Sequence, residues 1–155
     1  MTLYEIELAL ANYFNPQVNI IVPNVSWGMG LRHECDLLVL RKTGYCAEIE
    51  IKRSKADCRA DLNKKHGHSS DMIRELWFAL PLDIYESCKA IIPERAGILV
   101  VERTEYGTGF RVDVRRRAKR NMNARRLDDK ERMNLARLGC MRIWGLKRKM
   151  IKQIA

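Results

Sequence analysis

Asp36, Glu50 and Lys52 are the residues whose types and spacing can do chemistry. Two carboxylates beside an ammonium suit the hydrolysis of a phosphodiester with a divalent ion. Mg2+ and Mn2+ favour hard oxygen ligands, and one or two carboxylates leave room for water and phosphate oxygens. An ammonium in the same place offsets negative charge on the substrate.

The positions of these residues follow from two short segments. In Glu48-Ile49-Glu50-Ile51-Lys52 isoleucine alternates with charge. Side chains two apart on a strand share a face, so Ile49 and Ile51 point one way and Glu48, Glu50 and Lys52 the other. Asp36 opens an apolar run, Leu37-Leu38-Val39-Leu40, and Arg41-Lys42-Thr43-Gly44 has the composition of a turn. Two strands joined by so short a link form an antiparallel hairpin, which makes Asp36 and Glu50 cross-strand neighbours. The charged face either meets water or lines a cleft, and only a cleft makes it a site.

The remaining chain supplies the elements around that hairpin. Residues 2–14 carry Leu3, Ile6, Leu10 and Phe14 at helical spacing, with Thr2 as N-cap. Glu7 falls inside the apolar stripe. It pairs with a nearby Arg or Lys, sits at the margin of the stripe, or reaches the carboxylates. Residues 17–25 read as a β-branched strand with Pro23 marking its end or an edge. Strands over 34–40 and 45–52 make the hairpin, and Gly28 and Gly30 lie in the connection before it.

Ser54 and Asp57 form a capping box ahead of a helix over 55–66, where Asp61 and Lys65 stand one turn apart. His66-Gly67-His68 offers two histidines without a third ligand at standard spacing, a weak metal signal that reads as phosphate contact or exposure. Residues 75–80 and 97–101 are apolar strands, 83–91 a short helix, and 110–114 an edge strand. The expected fold is α/β, a mixed central sheet flanked by helices.

The composition bounds the partners. The 155 residues carry a net charge of +10, with 46% hydrophobic residues and a pI of about 9.6. That is one domain's length with the material for a core, and a surface that prefers polyanions. No apolar run is long enough to span a bilayer and no signal peptide is evident, so no membrane partner is expected. The five cysteines lack a CxxC pair, which fits reduced thiols in the cytoplasm.

From Arg115 the composition turns basic. Arg115, Arg116, Arg117, Lys119 and Arg120 stand almost in a row, and a helix over 128–138 follows. We divide the chain into a core over 1–114 and a basic, partly helical C-terminal extension over 115–155. These residues, with Lys64 and Lys65, are the candidate nucleic-acid contacts. Trp144 is either a stacking platform for a base or a core residue.

The hairpin resembles the PD-(D/E)xK nuclease superfamily, with Asp36 on the motif aspartate and Glu50-Ile51-Lys52 on (D/E)xK. The block from Ala47 to Lys64, with Lys52, Ser54, Asp57 and Asp61 at the matching spacing and Lys64 at its end, is similar to that of MmcB-like DNA repair nucleases. So are Trp77-Phe78-Ala79-Leu80-Pro81 and Ala96-Gly97-Ile98-Leu99-Val100. The likeness covers roughly residues 30–103 and leaves out the arginine-rich end. Cys35 stands where the motif has proline, and His66-Gly67-His68 stands where that group tends to carry an aromatic.

The resemblance implies a restriction-endonuclease-like fold. It also implies a metal-dependent DNA endonuclease in repair, recombination or mobile-element biology. Asp36, Glu50 and the carbonyl of Ile51 would hold Mg2+ or Mn2+, with Glu7 as a helix-one ligand, and Lys52 would orient the attacking water. Glu48 is an outer ligand or a partner for a basic residue. The alternative is a catalytically weak or inactive nucleic-acid-binding module of the same fold. RNA and branched junctions stay open as substrates, and a homodimer stays open as the assembly.

Overall fold

The computed structural model describes residues 1–26, 29–31, 33–62, 68, 70–105 and 109–154. Helix α1 (Leu3–Phe14) precedes three strands, β1 (Ile20–Val25), β2 (Cys35–Leu40) and β3 (Cys46–Ile51). Then come α2 (Lys55–Leu62), β4 (Ile73–Pro81), α3 (Leu82–Cys88), β5 (Gly97–Arg103), β6 (Phe110–Arg116) and α4 (Asp129–Ile154). The chain is α/β: the six strands form one sheet in sequence order. β1, β2 and β3 are antiparallel, β3, β4 and β5 parallel, and β6 closes the sheet antiparallel to β5.

Local chemistry explains most boundaries. Thr2 and Glu5 close a capping box at α1, which satisfies two N–H groups the first turn cannot. At α2, Asp57 N–H donates to Ser54 Oγ at 3.1 Å, while the Asp57 carboxylate accepts from the N–H of Arg53, one residue before the cap, at 3.2 Å. Between β2 and β3 the turn closes with Gly44 at φ +88, a conformation that favours glycine. Trp77 pairs with Gly97 across β4 and β5. A Cβ on Gly97 would lie 2.2 Å from the indole, so only glycine lets the ring lie there.

The two sheet faces differ in kind. On one, Ile6, Leu10 and Phe14 of α1 pack on Leu37, Ile49 and Leu99 in a single apolar cluster. The other face carries two separate clusters. Val22, Leu38 and Leu40 pack with Leu135 and Leu138 of α4, while Phe78, Leu80 and Val100 pack with Cys58 and Cys88 of α2 and α3. Charged side chains of β3 emerge between them.

The basic extension is more ordered than its composition suggests. β6 continues to Arg116, past residue 114. The chain then crosses the amino ends of the parallel strands: Lys119 N–H bonds Arg95 O, Asn121 N–H bonds Arg74 O, and Leu127 N–H bonds Gly44 O. A further capping box, Asp128 with Glu131, starts α4. This helix runs to residue 154 rather than 138. Arg, Lys and Met are good helix formers, and two leucines near its start anchor the rest. Trp144 is 59% exposed, so it is not a core residue. Among the described residues no helix is long and apolar enough to cross a membrane.

Candidate functional site

The charged face of β3 does not meet water. Glu48, Glu50 and Lys52 are 0%, 1% and 5% exposed. Carboxylates and an ammonium this dry need partners, and they have them. Lys52 Nζ donates to Glu50 Oε2 at 2.9 Å and to Asp61 Oδ1 at 2.7 Å. His68 Nε2 meets Asp61 Oδ2 at 2.8 Å and its Nδ1 meets Glu48 Oε1 at 2.6 Å. His33 Nε2 reaches the same Glu48 oxygen at 2.7 Å. The Phe78 ring walls the network, with Lys52 Nζ 5.4 Å and the His68 ring 5.9 Å from its centroid.

Four elements build this network. β3 supplies Glu48 and Glu50, with Lys52 just past its end. Asp61 lies one turn after Cys58 on the buried side of α2, because residues three apart share a helix face. His33 precedes β2. His68 sits at φ +51, and Arg95 holds its carbonyl at 3.3 Å. Non-glycine residues in that region are uncommon and cluster at functional sites.

The electrostatics follow from the contacts. Burial alone pushes the Glu48 carboxyl up, but the bonds and charges of His33 and His68 outweigh it and bring the pKa down to about 2. Burial disfavours charge on His68, yet the bonds to Asp61 and Glu48 and the charges of Glu48 and Glu50 raise its pKa to about 9. Lys52 is likewise raised against its burial, chiefly by the Glu50 charge. Three carboxylates thus face one ammonium and one imidazolium.

Asp36 lies at the same strand end. Regular pairing of β2 with β3 stops at Leu37–Ile49, one residue short of the Asp36–Glu50 pair expected from the sequence. Instead Asp36 Oδ2 accepts the Ile51 N–H at 2.7 Å, beside the peptide that follows Glu50. Asp36 is half-buried. Burial, and then the Asp36 charge, raise the pKa of the Glu7 carboxyl. Two groups of three ligand atoms lie within 4.8 Å of one another among the described residues, His33–Glu48–His68 and Glu50–Asp61–His68. Asp36 and Glu7 belong to neither.

Sequence reasoning missed three participants. His33 carried no local signal. The i,i+4 spacing pairs Asp61 with Lys65, whereas its spacing from Cys58 places it on the inner side of α2. His68, expected as a phosphate contact or an exposed residue, is buried. Lys64, Lys65 and His66 lie outside the described residues.

The predicted nucleic-acid contacts are already engaged to differing degrees. Arg116 donates to the carbonyls of Ile92, Pro93 and Ala96 and holds the turn before β5. Arg115 is 3.6 Å from Asp113, Lys119 3.2 Å from Glu94 and Arg120 3.3 Å from Glu75. Arg117 is exposed. Arg41, Arg74, Arg120 and Arg126 line one cavity at the amino end of β3, with the Tyr45 ring between Arg74 at 4.0 Å and Arg126 at 5.2 Å. That cavity is at the opposite end of the strand from Lys52.

No protein-family model matches the chain, and no curated protein matches it. A solved structure is similar, the SPO1766 protein of unknown function from Silicibacter pomeroyi. It aligns over 98% of this chain and 92% of its own, with a TM-score of 0.63 and 17% identity. At that identity the likeness speaks for the fold alone.

Proposed function

We propose that the protein is a divalent-metal-dependent nuclease acting on DNA, with a restriction-endonuclease-like fold. The observation that carries this is the 2.7 Å bond from the Ile51 N–H to Asp36 Oδ2. It draws the carboxylate of one strand to the Glu50–Ile51–Lys52 segment of the next, at the carboxyl end of β3. Ligand sites in α/β sheets favour those ends.

The donor set fits a hard cation: two carboxylates and the Ile51 carbonyl, all oxygen. When bound there, Mg2+ or Mn2+ lowers the pKa of a water and offsets charge on the scissile phosphate. The chain's own residues do the remaining work. Asp36 is oriented by the Ile51 N–H. Lys52, kept protonated by Glu50 and Asp61, places an ammonium where charge builds on the phosphate oxygens. Phe78 and His68 keep bulk water from the ammonium.

Arginines around Tyr45, half-buried at Arg41 and Arg74 and exposed at Arg120 and Arg126, hold the phosphate backbone. They lie about 23 Å along the strand from Lys52, seven residues at ~3.3 Å each. The protein therefore grips and cuts at points roughly seven base pairs apart, at ~3.4 Å per base pair. A second reading, a binding module that does not cleave, rests on the closure of Glu50 and Lys52 beneath His68.

Plasmid nicking with and without Mg2+ or Mn2+ separates the two. Nuclease action predicts metal-dependent nicking that Asp36→Asn reduces about 100-fold or more, with binding of the duplex unchanged. Asp36 is half-buried at the strand end, so the variant folds. Retention of DNA without nicking in any divalent ion rejects the nuclease and selects the binding module.

A further inference from the structure

We propose that His33, Glu48 and His68 form a binding site for one divalent transition-metal ion of the Zn2+ and Co2+ class. It is separate from the Asp36–Glu50 oxygen site and does not depend on it.

Convergence is the first argument. Two imidazole nitrogens, His33 Nε2 and His68 Nδ1, close on the same oxygen, Glu48 Oε1, at 2.7 and 2.6 Å. The three ligand atoms lie within 4.8 Å of one another. Around an ion with bonds of about 2.0–2.1 Å, adjacent ligand atoms stand about 3.0–3.4 Å apart. The cluster opens by several tenths of an ångström to admit one, a movement within reach of side-chain rotation. The ion replaces the protons that now lie between each nitrogen and the carboxylate.

The second argument is the other Glu48 oxygen. Oε2 is buried and has no hydrogen-bond partner among the described residues. A charged oxygen is costly to leave so, and an ion beside Glu48 satisfies it. The third is the support behind His68. Asp61 Oδ2 holds the far nitrogen, Nε2, at 2.8 Å. A carboxylate behind an imidazole fixes the tautomer so that the near nitrogen presents its lone pair to a metal. Two imidazoles and one carboxylate favour a borderline transition metal over Mg2+.

Co2+ is the probe. Titrated into the metal-free full chain, it is expected to bind at one equivalent with visible bands of a nitrogen-ligated ion, and Zn2+ displaces it. The Co2+ form should show two paramagnetically shifted, exchangeable imidazole protons, one from each histidine. That readout needs no variant. His33→Ala should weaken binding about 10-fold or more, and Asp36→Asn should leave it unchanged.

Fewer than two shifted imidazole protons, no stoichiometric binding by the wild type, or loss of the bands in Asp36→Asn overturns the site. Should Co2+ bind in this way while nicking fails in every divalent ion, the nuclease reading falls and this site stands.

Discussion

The two faces of β3 are equally dry and are kept so by opposite means. Ile49 and Ile51 are buried against α1 in one continuous apolar cluster, where removal from water stabilises at about 25 cal/mol per Å2. Glu48, Glu50 and Lys52 are buried on the other face between two clusters, where removal from water costs free energy that only partners offset. Burial alone therefore does not mark the site. The mark is charge held dry by several elements at once, because a fold selected for stability alone fills such a face with apolar groups.

Lys52→Ala breaks the charged face most. It leaves Glu50 and Asp61 buried without their shared cation, and loss of one member of a buried ion pair costs about 3–5 kcal/mol. Urea unfolding near neutral pH should show that loss. A change below about 1 kcal/mol would mean that the network is open to water and that the contrast between the faces is unfounded.

Next in size is the pH dependence, which belongs to one face only. Glu48 has a folded pKa of about 2 against an ordinary 4.5. Its contribution is full above the ordinary value and is lost as pH falls through the folded one. His68 has a folded pKa of about 9 against an ordinary 6.5. Its contribution is full below the ordinary value and is lost as pH rises through the folded one. Stability from the network should be greatest between about 4.5 and 6.5 and decline on both sides. In His68→Gln the decline between pH 6.5 and 9 should flatten, as midpoint temperatures across that range would reveal. An unchanged alkaline limb would remove His68 from the network.

The same contrast explains what was legible in the sequence. Alternation in residues 48–52 reads directly as two faces, and the caps at Thr2 and Ser54 read as helix starts, because both are local rules. Hairpin pairing followed from the short turn at Gly44. What closes the charged face did not, since His33, Asp61 and His68 come from three other segments and meet β3 only through the packing of α2 and the path of the chain before β2 and β4. The long α4 was also hidden. Its second half spaces Ile143, Leu146 and Met150 as a helix would, but among lysines and arginines, and all three are exposed, so its length comes from helix propensity rather than burial.

Ile49→Val is the smallest change and tests the apolar face by itself. It removes one methylene from a packed cluster, which costs about 0.5–1.5 kcal/mol. No charge is touched, so the loss should be the same at pH 5 and pH 8. Co2+ binding should not move. Ile49 and Lys52 point to opposite sides of the sheet, so the effects of their side chains should be additive to within about 0.5 kcal/mol. In the double variant Ile49→Val, Lys52→Ala the two losses should therefore sum. A coupling above about 1 kcal/mol would mean that the strand shifts as a unit when either face is disturbed. The separation of an apolar support from a charged site would then have to be given up.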